Sequence, residues 1–502
     1  MKNNKALVIV AILVILAGGA FGAGKYLENR VLNSLKEMVD GSDKVSVGSM
    51  SFSLMTRTAE VRDVKVAIKM GNNPIESKQS YARAEAVLPW SLILNPDAEG
   101  SILLAETYTI EDAKDVQGNL ETTIARMHAT NIVSDLSLSR KLLSEDGNSA
   151  DWATLLERSS IDSLLAEQLV QKQGDMETSL KKIEVSGLKG LKMDAITVDG
   201  TIISGALEPG QPAKQIMTLD SFTVKKVDVP ANVLRMVFDM EPAQLESPEV
   251  LQALVQTLFA GQNPLFGSMS INTFTVSENV FPLSIDTLDF EWFSMRPVQH
   301  ASSMKGLTIP TDALEKEMGG VSFPGLKTIV IDSKTSLTGN ESGMMEENAE
   351  YDVRDLATIT MRTAMQTDPS SPSMPLTLWD ETNLMSAAFT GIDLTINDKG
   401  LLSYVLWNME GPEATGASVL AQLEALRGRN EEKNAVMIDS LTTFIKHPGT
   451  LTVRFKPENP VPLMGMMGVA FDPASNLEFS STAGATSIED AMKALRDKAA
   501  QK

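Results

Sequence analysis

His128, His300 and His447 are the only imidazoles in 502 residues, and no two of them stand three or four positions apart. A metal site on one helix face needs that spacing, so these rings do not form one by themselves. His447 precedes Pro448-Gly449, where a cationic side chain closing a helix has a sufficient structural reason. The chain has no cysteine, which removes disulfides, thiolate zinc sites, cysteine nucleophiles and lipoprotein attachment together. Carboxylates gather at Glu346, Glu347, Glu350, Asp352 and Asp355, without the alternating oxygen ligands and central glycine of a calcium loop. That cluster reads as a solvated loop. The pairs Asp286/Asp289 and Asp194/Asp199 lie on strands or turns, and acids that alternate with apolar residues mark the wet face of a sheet. No GxSxG elbow, HExxH helix, phosphate-binding loop or dinucleotide glycine fingerprint is present. The expectation is a protein that is not an enzyme, with no cofactor and no metal; a hydrolase whose site a lone sequence does not display stays open as a minor alternative.

Composition narrows the partners. Acidic residues number 65 against 44 basic ones, a formal net charge of −21 that repels nucleic-acid backbones and anionic headgroups alike. Hydrophobic residues make up 43%, enough for a sizeable core, and the 27 methionines read as core filler or as the lining of an adaptable apolar groove.

The first 24 residues carry the strongest signal. Lys2 and Lys5 precede an uncharged run from Ala6 to Gly24, whose apolar body is Leu7, Val8, Ile9, Val10, Ile12, Leu13, Val14, Ile15, Leu16 and Phe21. A helix of that length spans roughly 28 Å at about 1.5 Å per residue, close to the hydrocarbon thickness of a bilayer. Two readings remain, a retained single-pass anchor and a cleaved signal peptide with small residues near Ala17 to Ala20. Retention is favoured because Leu27, Val31, Leu32, Leu35, Met38 and Val39 continue at helical spacing up to Gly41. A basic start before an apolar core places the N-terminus inside and the bulk of the chain on the far side. No later apolar stretch is long enough to span.

From Val45 the period becomes two, and alternating segments recur at 45–68, 102–110, 183–203, 217–229, 269–276, 283–293, 329–337, 388–407 and 451–455. Asp199-Gly200 and Asn397 to Gly400 read as turns between paired strands. The spacing predicts helices over Trp152 to Val170, from Ser247 to Gly261, over Val419 to Leu426, over Val436 to Ile445, and in a capped charged tail from Thr486 to Lys502. Exposed loops are expected near Ser144 to Ala150, Gly339 to Glu350 and Asp368 to Met374. The fold expected is α+β: an N-terminal transmembrane helix, then an elongated, mostly antiparallel meander of hairpins with covering amphipathic helices. The divisions expected are an anchor over 1–24, a juxtamembrane helix over 25–43, a β region over 44–145, a β-meander with helical inserts over 146–340, a β/α region over 341–483, and a charged helical tail over 484–502.

VSVGSMSFSLMTRTAEVRDVKVAI from Val45, YARAEAVLPWSLIL from Tyr81 and SILLAETYTI from Ser101 follow the membrane helix in an order that resembles the N-terminal region of the AsmA-like family of bacterial envelope proteins. The closing stretches FTGIDLTINDKGLLSYVLW from Phe389 and FIKHPGTLTVRFKPENPVPLMGMM from Phe444 are similar to uncharacterised YdgA-like periplasmic proteins. The AsmA-like resemblance implies a curved β-sheet with an apolar inner face, anchored in the bacterial inner membrane, that helps move phospholipid or maintain the outer membrane. It implies the membrane and phospholipid as partners; the alternative expectation is a tethered scaffold or assembly factor that binds another envelope protein through a surface or an open sheet edge. This chain is short for the bridging members of that family.

Overall fold

The computed structural model describes residues 45–69, 76–94, 100–135, 138, 154–206, 212–229, 265–278, 280–295, 297–367, 387–427, 431–462 and 477–501. The expected membrane anchor (Leu7, Val8, Ile9, Val10, Ile12, Leu13, Val14, Ile15, Leu16, Phe21), the juxtamembrane helix and the helix from Ser247 lie outside the described residues. Among the described residues no helix is long and apolar enough to cross a membrane. The chain divides into two compact units, Met1–Leu258 with Leu265–Ile271, and Phe259–Pro264 with Asn272–Lys502.

In the first unit β1 (Val45–Ser46) and β2 (Ser49–Ser53) both pair with β3 (Thr58–Lys69). Then follow β4 (Glu76–Val87), β5 (Ser101–Gln117), β6 (Leu120–Asp135), β7 (Ser160–Gln173), β8 (Met176–Lys189), β9 (Lys192–Gly205) and β10 (Lys214–Asp228). From β3 onward each is antiparallel to the strand before it, the expected meander. A short helix, α1 (Trp90–Leu94), sits between β4 and β5.

The register explains the faces. Directly paired residues share one face of a sheet. One such row runs Arg62, Arg83, Glu111, Arg126, Glu167, Lys182, Asp199 across seven strands. From Arg83 to Asp199 its charges alternate in sign. One residue along, Val61, Ala84, Ile110, Met127, Ala166, Ile183 and Val198 form an apolar row on the opposite face.

Four residues with left-handed backbone break the strands between these rows and the next: Asp63 (φ 53°), Asp112 (φ 52°), Gln168 (φ 53°) and Gly200 (φ 64°), one in every second strand from β3 to β9. A non-glycine residue held there costs about 1–2 kcal/mol, so the repeated feature is a built bend in the strands. A second set of bends pairs an unusual residue with an acid on the next strand. Asn131 (φ 50°) donates from Nδ2 to Asp162 Oδ2 at 2.7 Å, and at Gly187 (φ 62°) any Cβ would overlap the Asp194 carboxylate.

These bends correct two expectations. The helix expected over Trp152 to Val170 is one helical turn at 154–157 followed by β7. Ile161, Leu164, Ala166 and Leu169 all pack on the apolar side, and the irregularities at Asp162 and Gln168 stretch a two-residue period to three, which imitates a helix. The turn expected at Asp199-Gly200 is the bend inside β9; the chain reverses instead at Gly190.

The second unit repeats the meander with β12 (Leu283–Met295), β13 (Val298–Pro310), β14 (Thr328–Gly339), β15 (Met344–Val353), β16 (Ala357–Gln366) and β17 (Ala388–Asp398). β18 (Thr450–Phe455) and β19 (Val461–Pro462) pair with β17, and β20 (Leu477–Thr482) pairs with β18. β11 (Ser268–Val276) spans the boundary between the units. Helices α2 (Thr311–Met318), α3 (Leu401–Glu410), α4 (Ala417–Arg427), α5 (Glu431–Lys446) and α6 (Ile488–Ala499) are inserted.

α4 and α5 match the amphipathic pair expected from sequence, and α6 matches the capped tail, Ser487 Oγ accepting from Asp490 N at 3.1 Å. The alternating segment 388–407 is only half strand. Asp398 accepts from Gly400 N at 3.0 Å and Leu402 N at 2.8 Å, and this capping starts α3 in place of a second strand. Gly339 to Glu350 is likewise a loop only at its start, because Met344 already opens β15.

Candidate functional site

The three histidines occupy three different settings. His128 lies on the charged side of β6, its Nδ1 3.0 Å from Thr109 Oγ1. His447 stands in the turn after α5, its N–H bonded to Thr443 O and its carbonyl accepting from Gly484 N at 3.0 Å. His300 is on the apolar side of β13, its ring 5.3 Å from Phe290 and 5.9 Å from Trp292 between centroids. Asp199 faces Lys182 in the charged row, Asp194 stands beside Gly187, and Asp286 stands beside Gly306. These acids serve the sheet: Gly306 (φ 65°) leaves no room for a Cβ against Asp286, and its N–H donates to Asp332 Oδ1 at 2.6 Å. Among the described residues no three His, Asp or Glu side chains gather as a metal site.

The extended feature that remains is the apolar side of the sheet within each unit. In the first unit its beginning is sealed. Leu88, Leu92 and Ile93, at and beside α1, join Ala59, Ala84, Ala86, Leu104, Tyr108, Ile110 and Met127 in one buried cluster. Small alanines on β3 and β4 leave space for the larger side chains laid across them. Burial pushes the Tyr81 and Tyr108 hydroxyls well above the ordinary tyrosine range. Arg57 fastens the cover: its guanidinium donates to both oxygens of Glu106, at 2.5 and 2.8 Å, and to Leu88 O at 3.0 Å, beneath the Trp90 ring. The pairing holds the Glu106 carboxyl below the usual range, the hydrogen bond from Arg57 being the main cause.

Towards β8, β9 and β10 the same row continues, with no fully buried member among the described residues. Ile183 and Val185 pair with Val198 and Ile196, which pair with Phe222 and Val224, and all six are only half-buried. Three strands at about 4.8 Å spacing make an apolar strip roughly 10 Å across, measured backbone to backbone.

In the second unit α5 covers the far end of the apolar side. Met437, Ile438 and Ile445 of α5 and Leu423 of α4 form a core against Phe479 of β20, and Ser440 Oγ donates to Phe479 O at 3.2 Å. α3 and α6 pack on each other through Leu406 and Met492, and Tyr404 Oη donates to Pro324 O at 3.1 Å. Between, Met361 and Leu394 are paired and half-buried, as are Ile359 and Ile396.

The acidic cluster is corrected here. Glu346, Glu347, Glu350 and Asp352 are on a strand, so they divide between two faces. Glu346 meets Arg362 at 2.6 Å, and Asp352 meets Lys399 at 2.9 Å and Thr358 Oγ1 at 2.9 Å, all on the charged face. Those hydrogen bonds hold both carboxyls below their usual range. Glu347 points to the apolar side, where burial pushes its carboxyl up. Burial also lowers His300. The sequence singles out both residues but not their place on the apolar side, because an ionisable residue at an apolar position breaks the alternation that would locate it.

A family model described as an uncharacterized protein matches residues 336–483, from within β14 to just past β20. That match holds both closing stretches singled out in the sequence and lies outside the N-terminal stretch that carries the AsmA-like resemblance. No curated protein matches the chain.

Proposed function

We propose that this protein is a membrane-tethered envelope protein, with the bulk of the chain in the bacterial periplasm, that holds lipid acyl chains on the apolar side of its sheet. The observation that carries the reading is the apolar row that crosses the first unit from β3 to β10 and is sealed at one end, half-exposed at the other. Each methylene laid on such a surface contributes about 0.8 kcal/mol, so an acyl chain gains on the order of 10 kcal/mol before ordering costs are subtracted. The opposite face, with its charge-paired row, is built for water. The uncharged run from Ala6 to Gly24 supports the tether, and the AsmA-like order of segments from Val45 supports the class of ligand.

The full chain, expressed in a bacterium and released from its membranes, is weighed by native mass spectrometry, and its lipid extract is analysed. Phospholipid in a fixed ratio to protein is the expected result. A bare protein mass with no lipid in the extract overturns the reading and turns attention to a tethered scaffold that binds a protein partner.

A further inference from the structure

Glu347 stands where the alternation of β15 demands an apolar residue. Its partners across the strands are Leu337 of β14 and Thr363 of β16, and Met345 and Ala349 flank it along β15 on the same side. Leu337, Met345, Ala349 and Thr363 are all buried. No basic side chain among the described residues pairs with Glu347, although its neighbours Glu346 and Asp352 on the opposite face both have one. An ionised carboxylate on an apolar surface is costly until a cation meets it.

Beyond Leu337 in the same cross-strand row is His300, whose Nδ1 is buried with no hydrogen-bond partner among the described residues. Glu347 and His300 are thus two strands apart, roughly 10 Å between backbones at about 4.8 Å per strand. In the tautomer that carries its proton on Nε2, the neutral imidazole offers an acceptor at Nδ1. Phe290 and Trp292 pack their rings against this imidazole.

A carboxylate and a ring-nitrogen acceptor on one apolar face share a complement. It is a cation that also donates hydrogen bonds and is attached to something greasy. A divalent metal is a poor match, since the other acids of β15 lie on the far face. A quaternary ammonium has charge but no N–H to give.

We propose that the apolar side of β13 to β17 seats an amphiphile by a primary ammonium group held at Glu347, with its alkyl portion along the half-buried Ile359 and Met361 of β16 and Leu394 and Ile396 of β17. This rests on the reading that the apolar sides of the sheets take acyl chains, and it adds what recognises the polar end. It also accounts for an acid that the fold alone would replace by leucine.

The test uses the full chain and three ten-carbon probes, decylamine, decanol and decanoate, in isothermal titration calorimetry at mildly alkaline pH. Glu347→Gln is compared with Glu350→Gln, which removes the same charge from the opposite face and so reports the attraction of any cation to this acidic chain. The expected result is decylamine binding about tenfold more tightly than decanol to the unmodified protein, decanoate weakest, with the preference falling to about twofold in E347Q and retained in E350Q. A preference unchanged in E347Q, or lost equally in E350Q, overturns the ammonium seat. Decanol binding as tightly as decylamine overturns it too, while leaving the apolar-surface reading intact. Binding of none of the probes overturns both.

Discussion

In the first unit the apolar side of β3 to β6 carries Ala59, Ala84, Ala86, Ile110 and Ala129, all buried, whereas in the second unit the apolar side of β13 to β16 carries His300, Glu347 and Thr363 among its hydrophobic residues. Both units use the same device, neighbouring strands laid down in sequence order with one wet face and one dry face. They differ in what is asked of the dry face. Where it is only core, alanines and large aliphatics interlock under α1 and the Arg57–Glu106 clamp. Where Glu347 and His300 intrude on that face, with no basic partner for Glu347 among the described residues, the arrangement costs stability, and the ammonium seat proposed above is the gain that would offset it.

The comparison breaks most readily at the sealed row. Ile110→Ala removes a side chain with no exposed surface and is expected to cost about 2–5 kcal/mol, while Ile196→Ala, on the half-exposed continuation, costs about half as much or less. Chemical denaturation of the two variants measures the difference, and equal losses mean that β9 is as tightly covered as β5. The bends come next. Gly187→Ala forces a Cβ onto the Asp194 carboxylate in a left-handed backbone and is expected to lose about 2 kcal/mol or more, part of which Asp194→Ala restores in the double variant. Arg57→Ala removes the clamp on α1, and a modest loss of protection confined to the first unit is expected in hydrogen exchange.

The smallest effect separates the two dry faces by sign. The folded-state carboxyl of Glu347 is raised, so its protonated form is favoured by folding, and that contribution fades as pH rises through the raised value. Glu347→Gln is therefore expected to raise the melting temperature at neutral pH, with the gain vanishing below the ordinary carboxylate range. A variant less stable at neutral pH contradicts the unpartnered state of Glu347.

Much of the architecture was legible in the sequence because one dry face forces a period of two. The meander, the hairpin strands from Val45 to Ile68, the α4–α5 pair and the Ser487-capped tail all follow from that and from capping chemistry. What misled was the bends. Gln168 and Asp162 shift the parity of β7, Gly200 imitates a turn in mid-strand, and Asp398 caps a helix where its flanking residues promise a hairpin. Backbone handedness at a single Asp, Asn or Gln is not written in hydrophobicity, so these sites stay silent until the register is seen. The candidate surface was legible as an apolar face, but its coverage depends on contacts distant in sequence, Leu88 and Leu92 over β5 in one unit and α5 over β20 in the other.

The absence of cysteine gives the most direct test of the proposed acyl surface. A single cysteine at Val198, on the half-exposed apolar row, or at Thr197, its neighbour on the charged side, is tethered to a photoreactive benzophenone in the full chain and irradiated with bacterial phospholipid vesicles. The account predicts phospholipid adducts by mass spectrometry from position 198 and none above background from 197. Equal yields from both, or adducts from neither, contradict it.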